Sequence, residues 1–514
     1  MSLTATITGV RRFEPAVAVG VSVAMFLLVQ AMAYGLVGAF EYPLDDVYIH
    51  LAVSEQIAAG GYGVNPGEYT SAASSPIYPL LLVPFAGTQF HAMVPVFWNV
   101  VALVLAALLW GRIVQDAVAD WRVALALAIL GPLAFNLAGI VQVGMEHTLH
   151  MLAGLAVLRG LQLQLDQGRL HWLLVAGMLL GPMIRFEGLA VTGGAALALA
   201  MLGRWKAGAA LFAVAVALVT GFMLFLTSLG LEPLPNSVMA KLAGGGQDSR
   251  FNLIDLPLKV VAEVMSSDKA LVMLMAVMIG AVALTRVHGA ARALMAGAVL
   301  AGSGHLVLGQ FGWFNRYELY ALSFVFGMLM LGLFRSDGMR SARALLVVGF
   351  AYLALSYGVW LVQNGKYGAL AIHSQQGNMS TFAKEVYQKP VAVNDLGYVA
   401  WNNPNYVLDL WGLASYRALS TRLDNPQDGW ADPLVQDAGV ELAMIYDHLI
   451  ENGIGAGWVK VGTLRYTGAG GFLGGRDVSF YATTPDAAPA LRKQIEDFAP
   501  RVVGAAEMWV EGAP

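Results

Sequence analysis

The chain has 514 residues, is 57% hydrophobic and only 12% charged, and carries a net charge of −4. A soluble domain holds about a quarter charged residues, so this is the composition of a membrane protein, and the charge balance gives no basic surface for nucleic acid. It contains no cysteine, which excludes disulfide scaffolds, thiolate zinc sites and cysteine nucleophiles.

In chain order, Arg11 and Arg12 precede an apolar run over residues 16–40. At about 25 residues it is too long for a signal-peptide core and long enough to span a bilayer, which predicts a retained first span. Further apolar runs predict spans near 93–111, 123–143, 147–163, 171–184, 187–203, 207–229, 270–285, 293–310, 317–334 and 344–363, or about eleven in all. Placing the N-terminus in the cytoplasm puts Arg112, Arg122, Arg169, Arg204, Lys206, Arg286, Arg292, Arg335, Arg340 and Arg343 on the cytoplasmic side. That is the bias of the positive-inside rule, and an odd span count leaves the C-terminal region outside.

Residues 41–68 hold Asp45 and Asp46, then a stretch with an apolar stripe at Val47, Leu51 and Ile57 that ends at Gly60 and Gly61. The pattern predicts a helix capped by one of the two aspartates and lying along the membrane surface. The proline-rich run over 74–87 predicts a re-entrant or interfacial piece. The long connection over 230–269, with its Gly run, predicts a mobile loop.

Beyond residue 363 the long apolar runs stop and charge rises. VAVND, YVLDLWG, GWVKVG and VSFYAT predict strands; STFAKEVYQ, DPLVQDAGVELAMIY and ALRKQIEDFA predict helices. The organisation expected is therefore a membrane domain over 1–363 and an extracytoplasmic α/β domain over 364–514.

The polar residues that stand out lie at one set of helix ends: Asp45, Asp46, Glu146, His147, Arg185, Glu187, Lys241, Arg250, Arg316 and Glu318. Ionisable groups at membrane depth are costly and more often functional than accidental. A carboxylate at a helix start is held as the anion and can accept a proton from a sugar hydroxyl; Arg185, Lys241 and Arg316 can bind a phosphate and the charge that develops on it. Each residue also has a plainer use: Asp45 and Asp46 as helix caps, Glu146 paired with His147 or an arginine, Arg185 and Glu187 as an interfacial pair, Lys241 solvated, Arg316 as an anchor. His50, His147 and His150 lack a metal-ligand spacing.

The segments LDDVYIHLAVSEQIAAGGYGVNPGE and SSPIYPLLL resemble the first outer loop of GT-C glycosyltransferases, most closely the mycobacterial terminal arabinofuranosyltransferases and their bacterial relatives. GMEHTLHML, IRFEGLA, LPNSVMAKL and NRYELYAL resemble, in order, that family's Gly-x-Glu-Thr, Arg-Pro-Glu-Gly, Leu-Pro-Asn-Thr…Lys and Arg-Tyr-hydrophobic-Pro motifs. His147, Phe186 and Ala321 depart from them, and the likeness runs over about residues 15–330. VAVNDLGYVAW…VLDLWGLA looks like the start of the family's outer domain.

The resemblance implies a mostly α, polytopic enzyme in the bacterial cytoplasmic membrane. Such an enzyme moves a hexosyl or pentosyl group, with inversion, from a polyprenyl-phosphate sugar to a glycan, glycolipid or protein acceptor of the cell envelope. It implies Asp45 as general base, with Asp46 positioning the acceptor or holding a divalent metal, Mg or Mn, which some members need and others do not. Glu146 and Glu187 then shape the sugar pocket. Lys241 and Arg316, with Arg185, engage the donor phosphate; His147, Asn236 and Tyr317 are further substrate-binding candidates, and Asp395 and Asp409 are weaker acceptor-side candidates. A transporter or flippase for lipid-linked sugars is the alternative; it requires paired repeats and broken helices, which the chain does not display.

Overall fold

The computed structural model describes residues 13–242, 256–424 and 427–512. Every apolar run named above is helical, and the helices form one bundle. Leu319–Phe334 is apolar on all faces and buried along almost its whole length, so it is the central helix. His147–Gln167, Gly289–Leu308 and Arg340–Trp360 pack around it. Trp205–Ser228 is peripheral: it buries Gly208, Ala215, Val219 and Leu226 and leaves Leu218, Leu224 and Phe225 exposed. Gly188–Leu199 and Gly289–Leu308 cross at Gly194 and Gly297, where a Cβ on either would come within 2.6 Å of the other's carbonyl oxygen. That close approach is what small residues permit in bundles.

The expected count of about eleven spans is not met. Among the described residues six helical stretches are long and apolar enough to cross a membrane, or seven if the bent pair Pro257–Ser266 and Asp268–Leu284 forms one span. Trp172–Ile184 and Leu319–Phe334 have 13 and 16 residues. At 1.5 Å per residue they reach about 20 and 24 Å, short of a hydrocarbon layer of about 30 Å. His147–Gln167 carries His147, His150, Arg159, Gln162 and Gln164 along its length. Residues 188–228 form one continuous stretch with a turn at Gly203 (φ 77°). The chain remains a multi-pass membrane protein by these stretches.

The C-terminal region is a six-stranded sheet with helices: β1 Val391–Val393, β2 Val407–Asp409, β3 Leu442–Ile445, β4 Val459–Tyr466, β5 Asp477–Ala482 and β6 Ala506–Val510. The order is β2-β1-β3-β5-β4-β6. β1 runs parallel to β2 and β3, and the remaining pairings are antiparallel. The helix expected over DPLVQDAGVELAMIY is only Asp432–Asp437. Gly439 adopts φ 60°, the chain turns, and the fully buried run Leu442–Ile445 becomes a central strand. A short apolar run is ambiguous between helix and strand, and here burial between β1 and β5 decides it.

The helix Asp46–Ala58 turns its expected apolar stripe into protein instead of leaving it open to a membrane surface. Residues Val47 to Ser54 are all buried, and the helix is sandwiched between Tyr78–Leu82 and the short helix Gly397–Ala400 of the α/β region. Ile49, Ala52 and Val53 share a core with Met379, Phe382 and Val399. Tyr48 stacks on Tyr398 with ring centroids 4.0 Å apart. This docking helix joins the bundle to the sheet. The proline-rich run forms only the short helix Tyr78–Leu82 and one further turn, Val83–Phe85.

Candidate active site

Asp45 begins the docking helix but makes no side-chain cap to it. Its carboxylate instead accepts the backbone N–H groups of Gly397 (2.7 Å) and Tyr398 (2.8 Å). The approach requires glycine: a Cβ on Gly397 would collide with the backbone oxygen and carboxylate of Asp45. Burial raises the Asp45 carboxyl well above the usual range and Asp395 and Asp46 add to the rise, while the two amide donors oppose it. Asp395, itself raised by burial, accepts from Gln376 (2.8 Å) and Tyr446 (2.9 Å).

Asp46, one residue on, faces the bundle. It is ion-paired with Arg316 Nη2, which also donates to the Tyr317 hydroxyl (2.9 Å). Arg316 is 2% exposed and the Asp46 side chain 33%. Nε and Nη1 of Arg316 have no hydrogen-bond partner among the described residues. The turn that presents this guanidinium is unusual: Trp313, Phe314 and Asn315 have φ of 42°, 63° and 49°. Three successive non-glycine residues in the left-handed region carry strain, and such strain clusters at functional sites. Asn136, also left-handed at φ 44°, braces the turn by donating to the Asn315 carbonyl (3.2 Å).

The Tyr317 ring bridges the two arginines, with Arg316 4.8 Å and Arg185 5.6 Å from its centroid. Arg185 donates to Glu146 (2.6 Å) and to Glu187 (2.8 Å). Glu146, fully buried, also accepts from Ser74 (2.8 Å) and lies 3.2 Å from His50 Nε2. Burial alone would raise its carboxyl; His50, His147 and Arg185 together hold it well below the usual range. The His147 ring sits 5.8 Å from that of Tyr317.

Asp46, Glu146, His147, Arg185, Glu187, Arg316 and Tyr317 therefore come from four chain turns into one cluster, with Asp45 at its edge. Asn236 is hydrogen-bonded to Ser71, which donates to its side-chain oxygen (3.3 Å) and accepts its N–H. Lys241 ends the helix Asn236–Leu242, and its side chain, like Arg250, lies outside the described residues. Asp409 is a turn cap, accepting from Trp411 (2.8 Å) and Ala414 (2.7 Å). His50 and Ser74 belong to the cluster and were not singled out by sequence. The available signal was His50 lying four residues after Asp46, one helical turn along the same face.

The residues present do not make a metal site as placed. Asp45 is committed to two amides and Asp46 to Arg316, and no group of three or more His, Asp or Glu side chains among the described residues converges on one point.

A domain family described as a domain of unknown function (DUF8728) matches residues 369–481. No curated protein matches the chain. Among the solved structures similar to it are three of the oligosaccharyltransferase from Archaeoglobus fulgidus. One, in complex with Zn and sulfate, shares 13% identity, covers 93% of this chain and 74% of that one, and has a TM-score of 0.49. The apo form shares 12%, covers 91% and 77%, with a TM-score of 0.45. The complex of the enzyme AglB with an inhibitory peptide and a dolichol-phosphate shares 11%, covers 90% and 74%, with a TM-score of 0.42.

Proposed function

We propose that this chain is a GT-C membrane glycosyltransferase. It transfers a sugar or glycan from a polyprenyl-phosphate-linked donor to an envelope glycan, glycolipid or protein at the helix ends that carry the α/β region. We assign that face to the outside of a bacterial cytoplasmic membrane, the side whose connections are the poorer in Lys and Arg. One observation carries the reading: a buried guanidinium, Arg316, is paired with an aspartate at a strained turn and keeps two nitrogens without partners among the described residues. A buried cation with spare donors is suited to a phosphate, which offers several acceptor oxygens to a planar fork.

The chemistry assigned to the cluster is a single displacement. The donor phosphate binds Arg316 and competes with Asp46 for it, which releases the Asp46 carboxylate beside the incoming acceptor. The acceptor oxygen attacks the anomeric carbon, the carbon–oxygen bond to phosphate breaks, and the departing electron pair stays on the phosphate held by Arg316. The acceptor proton passes to Asp46. Of the two aspartates Asp46 is the more open, and Asp45 with both oxygens on backbone amides is assigned the positioning role. Glu146, Glu187 and His147 line the sugar side, with Arg185 as the second cation.

The test is incubation of the purified protein with a panel of polyprenyl-phosphate sugars and envelope acceptors, with mass spectrometry of released polyprenyl phosphate. Release coupled to acceptor glycosylation supports the reading. Binding of the donors without any release, by protein of intact fold, rejects it.

A further inference from the structure

Leu256–Ser266 precedes the apolar helix Asp268–Leu284; the two reach spanning length and hydropathy only together, and they are bent by 118° at the break. Ser267 caps the second helix, its hydroxyl accepting the Ala270 N–H (3.3 Å). With Asp268–Leu284 tilted by about 20° from the membrane normal, the 118° bend sets the helix before it between about 10° and 50° from the membrane plane.

Its side chains sort into three faces. Val264 packs on the core of the bundle, and the helix rests on Asp268–Leu284 and Gly289–Leu308. Lys259, Glu263 and Ser266 form a polar stripe, with the Lys259 charge acting on the Glu263 carboxyl. Between the two faces Leu258, Val261 and Met265 form a third, one helical turn apart and 71%, 58% and 82% exposed. No protein segment covers these residues among those described. The stripe continues the exposed apolar side of Asp268–Leu284, made of Leu271, Met275, Met278 and Val282.

We infer that Leu256–Ser266 is an interfacial membrane helix whose Leu258, Val261 and Met265 insert among the acyl chains of the adjacent leaflet. Its occupant is the lipid surface: an apolar arc beside a charged stripe on a helix of about 16 Å is what the interface between headgroups and acyl chains accepts. The bend at residue 267 sets the depth, because the polar stripe must stay at headgroup level while the spanning helix enters the hydrocarbon. The inference is independent of the transferase reading.

The chain has no cysteine, so single-cysteine variants can be labelled without a background. Nitroxide labels at Leu258→Cys, Val261→Cys, Met265→Cys, Lys259→Cys and Glu263→Cys are compared in the full chain, reconstituted in phosphatidylethanolamine–phosphatidylglycerol vesicles, with Met278→Cys as the hydrocarbon reference. Labels at 258, 261 and 265 are expected to collide with oxygen in preference to a water-soluble nickel chelate, by roughly threefold over those at 259 and 263. Nickel access at 265 equal to that at 259, with oxygen access retained at 278, overturns the inference. Labels at 258, 261 and 265 shielded from both reagents overturn it as well, because protein would then cover the stripe.

Discussion

Asn65 completes the edge of the sheet at Val407. Its side-chain Nδ2 donates to the Val407 carbonyl (3.0 Å) and its Oδ1 accepts the Val407 N–H (2.9 Å), so one amide substitutes for the missing neighbour of edge strand β2. The loop after the docking helix is thereby stitched to the α/β region, and the exposed edge that strand pairing would otherwise leave open is covered.

Replacing Asn65 by Asp keeps the size but turns the donor into an acceptor facing a carbonyl. The expected cost is about 1–3 kcal/mol at the contact, because the Val407 carbonyl is left buried without a partner. Faster amide hydrogen exchange in β2 and easier protease cleavage in 60–68, relative to wild type, are the measurements. Unchanged exchange would mean that the edge is held elsewhere.

The adjacent aspartates should separate in a mutational test. Asp45→Asn offers one acceptor oxygen where two backbone N–H groups point, so it is expected to loosen the α/β region and lower the melting temperature by several degrees. Asp46→Asn removes the countercharge of the buried Arg316 but keeps a side-chain oxygen to accept from it and leaves the Asp45 contacts between bundle and sheet in place, so the protein is expected to fold with a lowered melting temperature. Transfer, however, should fall by about 10²-fold or more, the usual loss when a general base is removed. Full transfer activity in Asp46→Asn, together with a stable but inactive Asp45→Asn, would exchange the two assignments.

Much of this arrangement was legible because membrane helices announce themselves and because ordered polar motifs at their ends point to a common face. Glu146, Arg185, Glu187 and Arg316 stand out that way, whereas Tyr317 is a candidate only through the family resemblance. Asp45 shows the limit of local pattern: a helix-cap signature was present, but its partners lie 352 and 353 residues downstream. No periodicity reports such a contact. His50 was weighed only as a metal ligand, although its use is to face Glu146 from one turn beyond Asp46. The docking helix was read as membrane-surface because its apolar stripe looked one-sided, whereas the sheet region covers the other side. The span count differs because helix and span are different properties: Trp172–Ile184 is apolar and leaves Trp172 and Leu180 exposed, yet has only 13 residues.

Arg316→Lys should discriminate a phosphate fork from a simple countercharge. Lysine keeps the positive charge but not the planar donors, so an ion pair with Asp46 can persist while bidentate binding is lost. Affinity for polyprenyl phosphate is expected to fall by about tenfold or more, and transfer by about 10²-fold, with the melting temperature within a few degrees of wild type. Isothermal titration of detergent-solubilised protein with polyprenyl phosphate reads the first, and product release the second. Wild-type affinity in Arg316→Lys would remove Arg316 from the phosphate site.

Asp409 supplies a pH test within the sheet region. Burial pushes its carboxyl from 3.8 to about 6, against the opposing donors of the turn from Trp411 to Ala414. A carboxyl raised on folding stabilises the folded state below its unfolded value, and this contribution is lost as pH rises through the folded value. The window is therefore from about pH 4 to just above 6, and the difference corresponds to roughly 3 kcal/mol. Asp409→Asn has no proton to lose. The melting temperature of wild type minus that of Asp409→Asn should fall by several degrees between pH 4 and pH 7, with the variant serving as the baseline for every other titrating group. A difference that stays flat, or that grows with pH, would show Asp409 ionised throughout the range and its turn donors stronger than its burial.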